Sequence, residues 1–139
     1  MTLDVGSTLV VREFGPVTLE AIVRYAGASG DFNSIHYDEK FAESAGYPAV
    51  FAQGMMQAAL LGTAVVEWFP GASVRTFGVR FRDQVWLNDT LCCRGTVTAI
   101  EPTDGGSVVT IEVGVTATPG ERVVLTGAAE IKIPDGSTN

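Results

Sequence analysis

The sequence predicts an α+β domain in which a curved antiparallel sheet wraps around one long central helix. Three observations carry this prediction. The stretch 49–66, AVFAQGMMQAALLGTAVV, holds no charge and is long enough for a helix buried on most sides. Four runs with strand character follow it, separated by turn residues. Only short elements precede it, so the strand run and the long helix are segregated along the chain, which is an α+β layer pattern.

Each element follows from local chemistry. Residues 8–13 read as a short strand. Thr18 is placed to cap a helix through Tyr25, with Leu19, Ile22 and Val23 apolar. A polar loop covers 27–37, and Asp38 is a second cap, for a short helix ending near Gly46. After the long helix, Phe77, Val79 and Phe81 share one strand face, and Gly78 and Arg80 share the other. Asn88-Asp89 turns the chain into a strand over 91–100. Asp104-Gly105-Gly106 is hairpin chemistry before a strand over 109–118. Pro119-Gly120 separates that strand from the last one, over 123–133, and the polar segment 134–139 is expected to fray.

Composition sets the outer limits. The chain has 139 residues, which is one domain. It is 46% hydrophobic and 18% charged, the opposite of a disordered composition. Its mean hydropathy is +0.24, so some apolar surface is expected to be covered by a partner. The net charge of −7 argues against nucleic acid as the main ligand, because no basic field exists to release counterions. A polyanionic small ligand held by a few arginines stays open. The stretch 49–66 is at the lower length limit of a membrane span. Gln53 and Gln57 within it, and the lack of a basic flank after it, favour a buried helix instead. Met1 to Gly6 shows no basic n-region or apolar h-region, so no signal peptide is expected. Cys92 and Cys93 are adjacent and point to opposite strand faces, which reads as buried, reduced thiols in a cytoplasmic protein. No spacing suits a metal.

Candidate chemistry gathers in two places. The one histidine, His36, closes the run Asp31-Phe32-Asn33-Ser34-Ile35-His36. A carboxylate and an imidazole that share one water are the minimum set for acid–base work near neutral pH. Asp31 and Asn33 also suit a plain turn and helix cap. The second place is Gln53-Gly54-Met55, near the start of the long helix, where amides are unpaired. A glycine there lets a ligand oxygen approach the backbone. It equally permits close helix packing.

On these residues the chain resembles the R-specific enoyl-CoA hydratases and related MaoC-like dehydratases. The resemblance starts at Tyr25-Ala26-Gly27-Ala28-Ser29-Gly30-Asp31 and runs through Asn33, Ile35 and His36. It continues over Phe41-Ala42, Gly46-Tyr47, Ala52-Gln53-Gly54-Met55 and residues 81–91. It implies a hot-dog fold, paired side by side with a second such fold, as a homodimer or larger or as a heterodimer with a different hot-dog chain. It implies hydration of trans-2-enoyl thioesters, or dehydration of R-3-hydroxyacyl thioesters, carried on CoA or acyl-carrier protein. Asp31 and His36 then match the catalytic dyad, Asn33 its support, and the Gly54 N–H the donor to the thioester oxygen. No metal or redox cofactor is implied. Three positions depart from the pattern: Ser34 replaces a proline, Gln53 a histidine, and Ala59 a serine found in several hydratases. Ser34 is expected to loosen the loop without removing a reacting group, and Gln53, which can still hydrogen-bond, is read as tuning; both count as supporting residues. Met55, Met56 and Leu60 are candidates for lining the acyl tunnel, or are simply core. Arg75, Arg80, Arg82 and Arg94 are candidates for carrier phosphates, Arg80 and Arg82 foremost. Solvated sheet charges explain them equally. A hot-dog thioesterase and a non-catalytic acyl-thioester binding module are the competing readings.

Overall fold

A computed structural model of the chain describes residues 3–136. Its sheet has five antiparallel strands in the order β1-β3-β4-β5-β2. They are β1 (Arg12–Phe14), β2 (Ser73–Phe81), β3 (Thr90–Thr103), β4 (Gly106–Thr118) and β5 (Arg122–Pro134). The helices are α1 (Leu19–Ser29), α2 (Glu39–Ser44) and α3 (Gly54–Trp68), with a 3-10 turn over Ser34–His36. The long helix α3 packs on the sheet, and this is the hot-dog arrangement. Leu61, Ala64 and Val65 of α3 meet Val97, Ile111, Leu125 and Ile131 of the sheet in one core.

The predicted caps form. Thr18 Oγ1 accepts from Ala21 N at 3.1 Å, and Asp38 Oδ1 accepts from Phe41 N at 3.1 Å. Helix α1 runs four residues beyond the expected end at Tyr25. Ala26 to Ser29 do not break a helix, and Gly30, at φ 76°, supplies the left-handed stop. The β3–β4 hairpin turns at Asp104-Gly105, and Gly106 is obligatory there: a Cβ would lie 2.0 Å from the Ile133 carbonyl oxygen.

Several expectations change. The strand expected over 8–13 is regular only at Arg12–Phe14, with Thr8 making an isolated bridge to Thr96. Strand β2 is longer than 77–81 because it pairs with β5 from Ser73, past an irregularity between Val74 and Thr76. The long helix begins at Gly54, where the run Gln53-Gly54-Met55 had placed its head, so the first five residues of the stretch 49–66 lie outside it. Residues 50–52 are extended because their backbone pairs elsewhere: Phe51 bridges Trp86, and Ala52 N donates to Val85 O at 2.8 Å. Nor is the helix enclosed on most sides. Met55, Ala59, Thr63 and Val66 form an exposed stripe, with Met55 59% and Val66 60% accessible. The expected fraying from residue 134 is also too early, since Pro134 ends β5 and Asp135 N donates to Gly105 O. Residues 137–139, like Met1 and Thr2, lie outside the described residues.

Candidate active site

Asp31, Asn33 and His36 sit on the short link between α1 and α2. Two side chains fold this link on itself. Asp31 Oδ1 accepts from Asn33 N, and Asn33 Oδ1 accepts from Ile35 N, both at 3.2 Å. The turn-and-cap reading is therefore correct as local structure, and it does not exclude the other. Its result is to swing His36 inward. The ring is 6% exposed and lies edge-on to Phe51, with centroids 5.2 Å apart.

Phe51 then sets the tautomer of that ring. His36 Nδ1 lies 2.7 Å from the Phe51 carbonyl oxygen. A carbonyl only accepts, so Nδ1 carries the proton. In the neutral ring Nε2 is then a bare acceptor. It faces Asp31 Oδ2 at 3.7 Å, too far for a direct hydrogen bond. The carboxylate is 45% exposed, so the pair has one buried member and one wet one.

Gly54 opens α3 beside a cleft of about 250 Å³, which Phe51, Gln57, Phe81 and Arg82 also line. A Cβ at this position would meet the Phe81 ring at 3.1–3.2 Å, so that ring would have to give by a few tenths of an ångström. Gln53 precedes the helix without a side-chain cap bond, so the first amides are left to a ligand or solvent. Gln53 instead is buried and donates through Nε2 to Ile22 O at 3.1 Å, tying α1 to the start of α3. Ser34 serves the turn through its backbone, its carbonyl accepting from Tyr37 N and Asp38 N.

The remaining candidates divide. Met56 and Leu60 are half-buried against the core, while Met55 is on the exposed stripe. Arg82 reaches the cleft beside Gly54 and donates to Thr126 Oγ1 at 3.0 Å. Arg80 lines only a second depression on the sheet, with Glu112 and Thr126, which Arg82 also borders. Arg94 lines another one there. The arginines are thus not gathered around the dyad.

Sequence reasoning missed four contributors. Phe51 holds His36, and Phe81 covers Gly54. Trp86 packs edge-on to Phe51 at 5.8 Å between centroids. Asp89, almost fully buried, fixes the Trp86 segment by accepting from Trp86 N and pairing with Arg122 at 2.5 Å. Burial lowers that guanidinium's pKa, but hydrogen bonding to Asp89 outweighs it and holds Arg122 above its usual range. Only the Asn88-Asp89 turn had been legible.

Residues 4–118 match the family described as MaoC like domain. The chain belongs to that family. The MaoC-like chain is 28% identical over 133 residues to a mitochondrial 3-hydroxyacyl-[acyl-carrier-protein] dehydratase of Arabidopsis thaliana, covering 96% of the chain and 79% of the relative. It is 32% identical over 117 residues to an (R)-specific enoyl-CoA hydratase of Rhodospirillum rubrum, covering 81% and 77%. Among solved structures it superposes on the ChsH1-ChsH2 complex of Mycobacterium tuberculosis with a TM-score of 0.80 at 27% identity, covering 96% and 99%. Relatives named as hydratases and dehydratases place the MaoC-like chain among hydro-lyase enzymes. Among the described residues no helix is long and apolar enough to cross a membrane.

Proposed function

We propose that this protein catalyses R-specific hydration of trans-2-enoyl thioesters and the reverse dehydration of R-3-hydroxyacyl thioesters, with Asp31 and His36 as its dyad. The observation that supports this most is the bare Nε2 of His36 facing Asp31 Oδ2 at 3.7 Å. Two acceptors this close need a donor shared between them. A water supplies two O–H groups, one to each, and turns its lone pairs outward. Attack by that oxygen forms a C–O bond at the β-carbon while the dyad takes a proton. The π electrons move through the α-carbon to the thioester oxygen, where the Gly54 N–H and the positive end of α3 stabilise the charge. A proton returned to the α-carbon completes the addition of one water. Dehydration retraces these steps. The chemistry transfers protons only, so we propose no metal or redox cofactor.

The carrier is CoA or acyl-carrier protein, with Arg82 the better placed phosphate contact and Arg80 the more remote. Met56 and Leu60 would line the acyl path, with Met55 at its exposed edge. Strand β2 is an outer strand whose Val74, Phe77 and Phe81 are exposed. We infer that a second hot-dog chain pairs along it, giving a homodimer or larger assembly in the cytoplasm. The likeness to a two-chain complex favours one further reading, a subunit that works beside a different hot-dog chain.

The test is incubation with crotonyl-CoA, following loss of the enoyl absorbance, the configuration of the product and release of free thiol. Formation of R-3-hydroxybutyryl-CoA without free thiol is expected. Free thiol without hydration would replace this reading with a thioesterase. Binding without turnover, alone or with a second hot-dog chain, would leave a binding module.

A further inference from the structure

Gln57 is the unexplained residue of α3. It is 3% exposed, lies one turn beyond Gly54, and lines the same cleft. Its Oε1 is buried with no hydrogen-bond partner among the described residues. Leaving a buried amide oxygen unpaired is destabilising, and most such groups in native proteins have a partner. A helix side chain leans toward its own N-terminus, so Gln57 reaches back over the turn that Gly54 opens. A Cβ at Gly54 would meet the Phe81 ring there at 3.1–3.2 Å. Arg82, Asp83 and Gln84 make part of the cleft's wall polar. Phe51, whose carbonyl holds His36 Nδ1, also borders it.

We propose that Gln57 selects the acyl group: the preferred substrates carry a hydroxyl or oxo group where a fatty acyl chain would carry only hydrogens. A carboxamide offers both a donor and an acceptor, so it pairs with either. A plain alkyl chain seals Gln57 against carbon and leaves it unpaired. Sites built to bond a substrate's polar group discriminate strongly against analogues that lack it. This rests on the hydratase reading for its substrate class but not for its test.

The experiment compares length-matched trans-2-enoyl-CoA thioesters, one ending in a methyl group and others bearing a terminal hydroxyl or an oxo group. The variants are Gln57→Met, close in shape and without the amide, and Gln57→Glu. The wild type is expected to favour the polar substrates by at least about tenfold in kcat/KM. Gln57→Met should abolish or reverse that ratio. An unchanged ratio, or equal losses on every substrate, overturns the proposal; the first result would mean that a buried water satisfies Gln57. Binding of the matching saturated acyl-CoAs, measured by calorimetry, keeps the proposal testable if no substrate turns over. A polar preference in binding that Gln57→Met removes then supports it while the hydratase reading fails. Equal binding of polar and alkyl forms, or none, overturns it.

Discussion

At His36 the backbone decides what the side chain can do. The Phe51 carbonyl takes the Nδ1 proton position, which leaves Nε2 of the neutral ring a bare acceptor facing the half-exposed Asp31. Asp31 in turn has two duties, since Oδ1 shapes the turn while Oδ2 faces the ring. That Asp31 and His36 would meet was anticipated from the run 31–36 and the family resemblance. The tautomer of His36 was not, because Phe51 lies fifteen residues away and contributes a backbone atom that any residue would carry. Gly54 offers a second test at this scale. Gly54→Ala places a Cβ against the Phe81 ring, which is half-exposed and free to give way. The variant should stay within about 1 kcal/mol of wild-type stability, helped by the helix preference of alanine. Its kcat/KM for crotonyl-CoA should fall at least about tenfold, because the methyl group crowds the amide that a thioester oxygen would approach. Urea unfolding and the absorbance assay check the two halves separately.

Among elements, the segment between β2 and β3 matters more than its irregular shape suggests. Arg122 at the start of β5 donates to the Gln84 carbonyl at 2.9 Å and pairs with Asp83 and Asp89. That staple presses Trp86 against Phe51, and so supports the carbonyl that holds His36. Arg122→Ala strands the buried Asp89 carboxylate and should cost roughly 3 kcal/mol, read as a lower urea midpoint. Crotonyl-CoA hydration should weaken with it. A loss below about 0.5 kcal/mol would show that the staple does not hold the segment. The strands, caps and hairpin were readable because alternation and turn residues are local signals. The head of α3 at Gly54 was readable as well, but the extended path before it was not: residues 50–52 are as apolar as the helix, and only their pairing with residues 85 and 86 makes them extended.

For the whole molecule, apolar surface is left over. The chain exposes 7674 Å², more than the roughly 6,900 Å² that scaling gives for a monomer of its mass. Met55 and Val66 on the open stripe of α3, and Val74, Phe77 and Phe81 on the outer strand β2, are part of its exposed apolar surface. Composition had anticipated this surplus, but placed the whole helix under the sheet. The interior also sets an alkaline limit on stability. Burial, and then the neighbouring Cys92, push the Cys93 thiol up from 9.0 to about 12. Below pH 9 the thiol is protonated whether the chain is folded or not. Between pH 9 and about 12 the unfolded chain loses a proton that the folded one keeps. Stability should therefore fall as pH rises through that window, by up to about 1.4 kcal/mol per pH unit from this group. Urea midpoints measured from pH 8 to 11 should show a flatter slope for Cys93→Ala than for wild type. Equal slopes would refute the assignment.

In the proposed mechanism Asp31 and His36 act together on one water. The most direct measurement is kcat/KM for crotonyl-CoA hydration in wild type, Asp31→Asn, His36→Ala and the double variant, with folding checked by circular dichroism. The account predicts that each single variant loses at least about a hundredfold and that the double variant loses little more, because the two residues serve one step. Folded single variants that both retain near wild-type activity would contradict it.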